Sequence, residues 1–280
     1  MKIFVNNRIV DEKKASISIF DRGFLYGDGI FETMRSYNGR VLALDRHLDR
    51  LYSSAKVIDL KIKLGRESIK KQIYKLIRIN GLKDAYIRLA ATRGEGRVGL
   101  NAVTAKSSSV VIIVKHFTPY PAAFYEKGIS LYTSSVRRNA ESPLSSIKSL
   151  NYLNNILARM DAQKRGADDA LLLNTKGFVA ESAVSNIFMI KRKGLITPSL
   201  NSGILPGVTR EIVLSIAKKA GLKAIERKVS PRELKGADEV FLTNTLMEVM
   251  PVVKIDKTGI GKRRPGLLTK FIHLLYSRQI

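Results

Sequence analysis

The sequence contains no cysteine and no hydrophobic run long enough to cross a bilayer. Without cysteine there are no disulfides, no thiolate-bound zinc and no cysteine nucleophile, so catalysis must use other side chains. The longest aliphatic run, residues 110–114, is far shorter than the roughly 20 residues of a membrane-spanning helix. The N-terminal residues also lack the apolar core of a signal peptide. We therefore expect a cytoplasmic protein without a membrane partner.

Proline is scarce, at 8 of 280 residues, and glycine is at an ordinary level, at 20, which excludes a fibrous or low-complexity chain. With 45% hydrophobic residues the composition is that of a folded protein, and the length favours one or two domains. The net charge of +25 is spread evenly, because residues 1–120 carry 23 basic and 11 acidic side chains and residues 121–280 carry 26 and 13. Nucleic-acid binders usually concentrate such charge, so we interpret it as a solvated surface and predict no specific nucleic-acid partner.

Hydrophobic periodicity predicts a mixed α/β chain of two domains. Two prolines in residues 116–121 suit an extended connector. We place a smaller N-terminal α/β domain at 1–118, a linker at 119–124 and a larger C-terminal domain at 125–280. The predicted elements are a strand at 2–10, helices at 45–59 and 66–80, strands at 84–92, 108–115 and 128–134, a helix at 150–165, short strands between 169 and 190, a helix at 208–220, strands at 237–243 and 248–255, and a last helix from 267.

Two common signatures are incomplete. Residues 94–99 match the dinucleotide-binding pattern G-x-G-x-x-G, but no helical pattern follows, and no acidic residue stands at the required distance. We interpret this segment as a glycine-rich loop. The three histidines, His47, His116 and His273, are far apart and lack the H-E-x-x-H spacing, so no metal site is predicted.

Three segments carry side chains suited to chemistry. Lys148 stands before a predicted helix, four residues ahead of Tyr152, a spacing that lets an amine and a phenol approach one ligand. A lysine amine can act as a Schiff-base nucleophile, although a lysine at a helix start is also ordinary. Glu181 is a lone carboxylate in an apolar segment and needs a cationic partner. The turn at 207–209 leads into a helix whose N–H groups can bind a phosphate, unless Thr209 serves only as a cap.

Taken in order, these segments resemble the class IV aminotransferase family, the fold-type IV enzymes that use pyridoxal 5′-phosphate. The resemblance begins with FDRGFLYGDGIFET at 20–33 and RHLDRL at 46–51. It continues through Lys148, Glu181 and GVTR at 207–210, and it ends with ADEVFLTNTLMEVMP at 237–251. This resemblance implies a fold of two domains with the cofactor at their interface.

The resemblance also implies a role for each matching residue. Lys148 would be the catalytic residue that forms a Schiff base with the cofactor and moves the proton at the substrate carbon. Glu181 would bind the pyridine nitrogen, and Tyr152 the 3-oxygen of the ring. The implied phosphate-binding groups are Arg50, the backbone amides of Val208 and Thr209, and Thr245. The implied substrate-binding positions are Tyr26, Phe31, Arg35, Tyr86 and Arg88. Because the family's glycine-rich loop, here 93–101, extends to the neighbouring subunit, a homodimer or larger assembly is implied.

The reaction itself is open among three possibilities, each with a small amino-acid-type substrate. Branched-chain aminotransferases of the family typically have Phe-Glu-Gly and Thr-Gly-Thr-Ala-Ala-Glu, where this chain has Phe31-Glu-Thr33 and TNTLME at 243–248. Both departures resemble the 4-amino-4-deoxychorismate lyases, which make 4-aminobenzoate and pyruvate in the folate route, and we favour that activity from the sequence. Tyr86-Ile-Arg88 instead resembles branched-chain or broad L-amino-acid aminotransferases, which use 2-oxoglutarate. A D-amino-acid transaminase is the third possibility.

Overall fold

The computed structural model describes all residues, 1–280, and they form two compact units. The first consists of Met1–Thr118 with Ile147–Asn151, and the second of Pro119–Ser146 with Tyr152–Ile280. Both units contain helices and strands, so the predicted mixed α/β class is confirmed. Residues 147–151, predicted to lie within the C-terminal domain, belong to the first unit.

The first unit is an antiparallel sheet with helices. Its elements are β1 (Lys2–Val5), β2 (Arg8–Asp11), α1 (Arg22–Tyr26), β3 (Gly29–Tyr37), β4 (Arg40–Val41), α2 (Leu44–Val57), α3 (Arg66–Ile79), β5 (Ala85–Thr92) and β6 (Ser109–His116). The six strands form one sheet in the order β2–β1–β6–β5–β3–β4, and every neighbouring pair is antiparallel.

Helices α2 and α3 form because apolar residues recur on one face at helical spacing. On α3 these residues are Ile69, Ile73 and Leu76, none of which has exposed surface. Helix α2 packs against β3, and α3 packs against β1 and β6. The core of this unit also contains Ile30 and Ile87 from the sheet, so it lies between the two helices and one face of the sheet.

The single strand predicted at 2–10 is wrong, because the structure has a hairpin of β1 and β2 there. The chain reverses at Asn6 and Asn7, whose φ angles are +44° and +69°. Asparagine tolerates this left-handed conformation better than most residues, and the tight hairpin turn of type I′ requires it at both central positions.

The segment Ile147–Asn151 joins the first unit because it bonds along β3. The N–H of Phe31 donates to the carbonyl of Lys148, and the N–H of Leu150 donates to the carbonyl of Gly29, both at 2.9 Å. Strand β4 pairs only with the other end of β3, which leaves this end for the segment. Ile147 is buried in the core of the first unit. The backbone of Lys148 is therefore fixed on the sheet.

The second unit is built on a nine-stranded mixed sheet. Its elements are α4 (Ala122–Lys127), β7 (Ile129–Arg138), α5 (Leu153–Lys164), β8 (Asp169–Asn174), β9 (Val179–Ser182), β10 (Asn186–Lys191), β11 (Gly194–Pro198), α6 (Val208–Lys219), β12 (Ala224–Arg227), α7 (Pro231–Lys235), β13 (Glu239–Asn244), β14 (Glu248–Ile255), β15 (Thr258–Gly259) and α8 (Leu267–Ser277). The strand order is β12–β11–β10–β13–β14–β7–β8–β9, with β15 beside β14. Strand β7 lies parallel to both of its neighbours, β14 and β8.

Two boundaries in the second unit differ from the prediction. The predicted linker at 119–124 contains the start of α4, and Phe124 packs on the apolar core of this unit. The predicted helix at 150–165 begins only at Leu153, because residues 148 and 150 bond to β3. None of the helices in the chain has the length and apolar character needed to span a bilayer.

Candidate active site

Lys148 lies beside an aromatic ring on the sheet of the first unit. Its ammonium nitrogen is 4.6 Å from the ring centroid of Phe31, and the guanidinium carbon of Arg88 is 4.0 Å from the same centroid. Phe31 is only 5% exposed. Two cationic side chains therefore share one buried ring, and an amine attached to a fixed backbone is placed in a partly apolar environment.

The four-residue spacing of Lys148 and Tyr152 is not a helical one. Tyr152 is the residue before α5, with φ −100° and ψ 4°, and Lys148 lies outside that helix. The residues after Lys148 continue along β3, so the two side chains do not share a helical face, and their approach to one ligand stays a prediction.

Arg50 belongs to a buried cluster with Glu32 and His47. Arg50 donates from Nε and Nη2 to the two carboxylate oxygens of Glu32, at 2.8 and 2.7 Å, and Nδ1 of His47 lies 2.7 Å from Oε2. Glu32 has no exposed surface and His47 is 1% exposed. Burial would raise the pKa of Glu32, but the charge and hydrogen bonds of Arg50, followed by those of His47, bring it to about 2. Burial lowers the pKa of His47.

Sequence reasoning identified Arg50 but missed Glu32 and His47. Glu32 points toward the core from β3, between Ile30 and Met34, where a carboxylate breaks the apolar alternation. His47 and Arg50 are three residues apart on α2 and so share one helical face. An acidic residue at a core position, followed by H-x-x-R on a helix, is the signal that could have identified the cluster.

Four predicted substrate-binding residues lie on one face of the first unit's sheet. Arg35 of β3 is paired with Tyr86 of β5, and Thr33 is paired with Arg88. Side chains alternate along a strand, so Phe31 shares this face, which is opposite the core. The guanidinium of Arg35 lies 4.1 Å from the ring of Tyr37 and 3.9 Å from that of Phe117. The face thus combines aromatic surface with two guanidinium groups.

The fifth predicted substrate-binding residue, Tyr26, holds the glycine-rich loop. The N–H of Gly99 donates to the hydroxyl of Tyr26 at 2.8 Å, and Nη1 of Arg22 donates to the Gly99 carbonyl at 2.7 Å. Arg22 and Arg93 both donate to Oδ2 of Asp28. Burial would raise the pKa of Asp28, but these two arginines lower it. No helix follows the loop before β6 except one short 3₁₀ turn, as expected for a segment that is not a dinucleotide site.

Glu181 has the cationic partner that its burial demands, and the partner is Arg138. Nη1 of Arg138 lies 3.1 Å from Oε1, while the side chain of Asn186 and the N–H of Leu205 donate to Oε2 at 3.1 Å. Arg138 in turn donates to the carbonyls of Gly203 and Ser145. Sequence reasoning missed both Arg138 and Asn186, because contacts across a sheet are not visible in one linear segment. Both carboxylate oxygens of Glu181 are therefore held by named partners.

The start of α6 has the N–H groups and the positive helix end that a phosphate site requires. Gly207 precedes the helix with no side-chain cap, so the first N–H groups, including those of Val208 and Thr209, lie at its positive end. Thr209 is a buried helical residue and not the cap. A Cβ at Gly207 would lie 1.9 Å from Oδ1 of Asn186, so only glycine fits here without movement.

Thr245 lies in the turn between β13 and β14, which Asn244 organises. The side-chain oxygen of Asn244 accepts from the N–H groups of Leu246 and Met247, at 2.9 and 2.8 Å. Its amide donates to the hydroxyl of Ser185 at 2.8 Å. The oxygen and the nitrogen of the Asn244 side chain therefore both stabilise the turn that contains Thr245.

The chain belongs to the class IV aminotransferase family. The sequence model described as "Amino-transferase class IV" matches residues 29–255, so the resemblance found from the motifs is confirmed. The "Putative branched-chain-amino-acid aminotransferase" of Methanocaldococcus jannaschii is 43% identical over 96% of this chain and 93% of that protein. The aminodeoxychorismate lyase of Bacillus subtilis is 35% identical over 99% of this chain and 94% of its own length.

Solved structures agree with this assignment. The T.th. branched-chain amino acid aminotransferase, solved with pyridoxamine 5′-phosphate, has a TM-score of 0.95 and 32% identity, over 99% of this chain and 93% of that one. The fold expected from the motifs is therefore the fold of enzymes in this family.

Proposed function

We propose that this protein is a pyridoxal 5′-phosphate-dependent aminotransferase that moves the amino group of branched-chain L-amino acids to 2-oxoglutarate. The observation that carries the proposal is the face of the first unit's sheet where Phe31 lies beside both Lys148 and Arg88. Such an enzyme must accept an aliphatic side chain and a carboxylate in turn. An aromatic ring suits the first and a guanidinium suits the second.

The residues present fit the cofactor. A phosphate needs N–H donors and positive charge: in the second unit the start of α6 has such N–H groups, and in the first unit Arg50 has a guanidinium. A protonated pyridine nitrogen needs a carboxylate acceptor, and Glu181 is held as one by Arg138. An aldehyde needs a primary amine, and Lys148 offers one on a fixed backbone.

Each residue then has a defined task. When bound, the cofactor withdraws electrons from the substrate's α-carbon and weakens its C–H bond. The Lys148 amine would accept the proton that leaves the α-carbon. Glu181 would hold the ring through its nitrogen, and Tyr152 would bind the 3-oxygen. Arg88 binds the carboxylate of 2-oxoglutarate, while Phe31 packs against an aliphatic side chain.

The comparisons support the aminotransferase over the lyase that the sequence analysis favoured. The relative at 43% identity carries a branched-chain aminotransferase name, while the lyase relative is at 35%. One of the two lyase-like features also has a structural explanation, because Asn244 shapes the β13–β14 turn. The other, Thr33, lies opposite Arg88 on the face that carries Phe31, and this observation keeps the lyase as a second candidate.

One experiment separates the candidates. The enzyme is incubated with L-leucine and 2-oxoglutarate, with D-alanine and 2-oxoglutarate, and with aminodeoxychorismate alone. We expect glutamate from the first mixture at the highest kcat/KM, because the three reactions share their first steps and relative efficiency decides among them. Pyruvate from aminodeoxychorismate at a higher kcat/KM would establish the lyase instead, and fast D-alanine exchange would establish the third possibility.

The cofactor has its own test. We expect the purified protein to be yellow, with an absorbance band that borohydride removes and that Lys148→Ala lacks. A colourless wild type that stays inactive after addition of pyridoxal 5′-phosphate would refute the proposed function. A nucleic-acid-binding protein would instead show no chromophore and would bind random DNA with an affinity that falls steeply with salt.

A further inference from the structure

The buried cluster of Glu32, His47 and Arg50 contains the only acidic side chain of the chain with no exposed surface. A fully buried carboxylate is costly unless it is paired and hydrogen-bonded. Even when paired, a buried ion pair adds little stability over apolar side chains of the same size. Fold stability alone therefore does not explain why a charged pair stands between β3 and α2.

The geometry of the Glu32–Arg50 pair gives a better reason for its presence. Glu32 engages the Nε and Nη2 edge of Arg50 with both oxygens, which fixes the plane of the guanidinium. Because a guanidinium is planar, fixing this edge also fixes the direction of Nη1, which lies outside it. Arginine otherwise has many rotamers, so a guanidinium held in advance loses less entropy when it binds an anion.

His47 supports Glu32 in the same way. An ionised carboxylate can only accept hydrogen bonds, so the Nδ1 atom of His47, 2.7 Å from Oε2, carries the proton and donates. His47 and Arg50 approach from the same face of α2. Two residues of a single helix therefore hydrogen-bond to Glu32, and its carboxylate cannot rotate without breaking both contacts.

We infer that Glu32, supported by His47, is a positioning residue that directs Arg50 at the phosphate of the cofactor. This inference rests on the proposed function. Glu32 does not touch the phosphate and acts only through Arg50. Its negative charge opposes a phosphate, so the affinity gained must come from the direction of the Arg50 donors and not from net charge.

Net charge and the direction of the Arg50 donors predict opposite effects of removing the Glu32 charge, and this difference provides the test. If charge alone mattered, Glu32→Gln would bind pyridoxal 5′-phosphate more tightly, because a negative charge has been removed. If positioning matters, the same variant binds it about tenfold more weakly, which corresponds to one charge-assisted hydrogen bond. Pyridoxal, which lacks the phosphate, should bind both proteins equally.

The experiment titrates cofactor-free wild type and variants with pyridoxal 5′-phosphate and with pyridoxal, followed by absorbance. Ser36→Ala is the matched control, because Ser36 is a buried core-facing residue of β3 whose hydroxyl contacts Lys83 and Ala85 and not Arg50. We expect Ser36→Ala to keep the wild-type ratio of the two affinities. Glu32→Gln should lower that ratio about tenfold, and His47→Gln by a smaller factor in the same direction.

Three outcomes overturn the inference. The first is unchanged or tighter binding of pyridoxal 5′-phosphate by Glu32→Gln. The second is equally weakened binding of pyridoxal 5′-phosphate and pyridoxal, which would show that Glu32 has only a structural role. If Glu32→Gln does not fold, an unchanged affinity ratio in His47→Gln overturns it. If the wild type binds neither pyridoxal 5′-phosphate nor pyridoxal, the proposed function itself is wrong. The wild-type titration alone shows this, so the result is distinct from a failure of the inference about Glu32.

Discussion

The low pKa of Glu32 predicts a specific dependence of stability on pH. Its pKa falls from 4.5 to about 2 in the folded protein, with burial opposing and Arg50 causing the drop. A group with a lowered folded pKa stabilises the fold fully above its unfolded pKa and loses that effect as the pH falls toward the folded value. The window is therefore from about pH 4.5 down to about pH 2.

The size of the effect follows from the same values. One pKa unit corresponds to about 1.4 kcal/mol, so the ionised form of Glu32 accounts for about 3 kcal/mol of unfolding free energy near neutral pH. Lowering the pH from about 6 to about 3.5 should remove about 1 kcal/mol of this. The group is completely buried, so solvent screening does not reduce the figure substantially.

The measurement compares His47→Gln with the double variant Glu32→Gln/His47→Gln by urea unfolding across this pH range. Removing His47 from both proteins leaves Glu32 as the only titrating group of the cluster that differs between them. The difference in unfolding free energy should shrink as the pH falls below about 4.5. The pair His47→Gln and His47→Gln/Ser36→Ala should show a constant difference. A Glu32 difference that stays constant, or grows in acid, would refute the reasoning.

Three further predictions concern other parts of the chain. Arg138→Met removes the guanidinium beside the buried Glu181 carboxylate and should lower the free energy of unfolding by about 3–5 kcal/mol in urea, so a loss below about 1 kcal/mol would contradict the buried pair. Gly207→Ala must displace Asn186 and should weaken cofactor binding about tenfold, while Gly65→Ala, at a helix start of similar φ with no atom within 4 Å, should leave it unchanged. The protein should sediment as a homodimer or larger assembly, and a fully active monomer at high dilution would contradict the role expected for the glycine-rich loop.

Elements with long periodic patterns could be predicted from the sequence, and short ones could not. The predicted helices at 45–59 and 66–80 correspond to α2 and α3 within two residues, because a repeated apolar face leaves little choice of register. Strand β3 was missed, because Glu32 interrupts its core-facing alternation and its pairing with Arg50 depends on the folded arrangement. The turn at Asn6 and Asn7 was missed because it depends on two backbone angles.

The candidate site also contains residues that could be predicted from the sequence and residues that could not. Lys148, Glu181 and the start of α6 stand in motifs whose order along the chain can be compared with a family. The partners that hold them, such as Arg138 and His47, are set by tertiary contacts. The sequence could state that Glu181 requires a cation, because buried charge is costly, but it could not say which arginine provides it.

The structure also changes how much weight each motif deserves in choosing the reaction. Both ends of the Asn244 side chain are used to shape the β13–β14 turn. A different residue at this position is therefore expected to change the turn rather than substrate binding. The face that carries Phe31 and Arg88 is the one to which the proposed function assigns the substrate. Of the two departures that resemble the lyases, only Thr33 lies on that face. Exchanging Thr33 for glycine, the branched-chain residue, is therefore the substitution expected to change the relative kcat/KM for L-leucine and aminodeoxychorismate, whereas exchange of Asn244 should act mainly on stability.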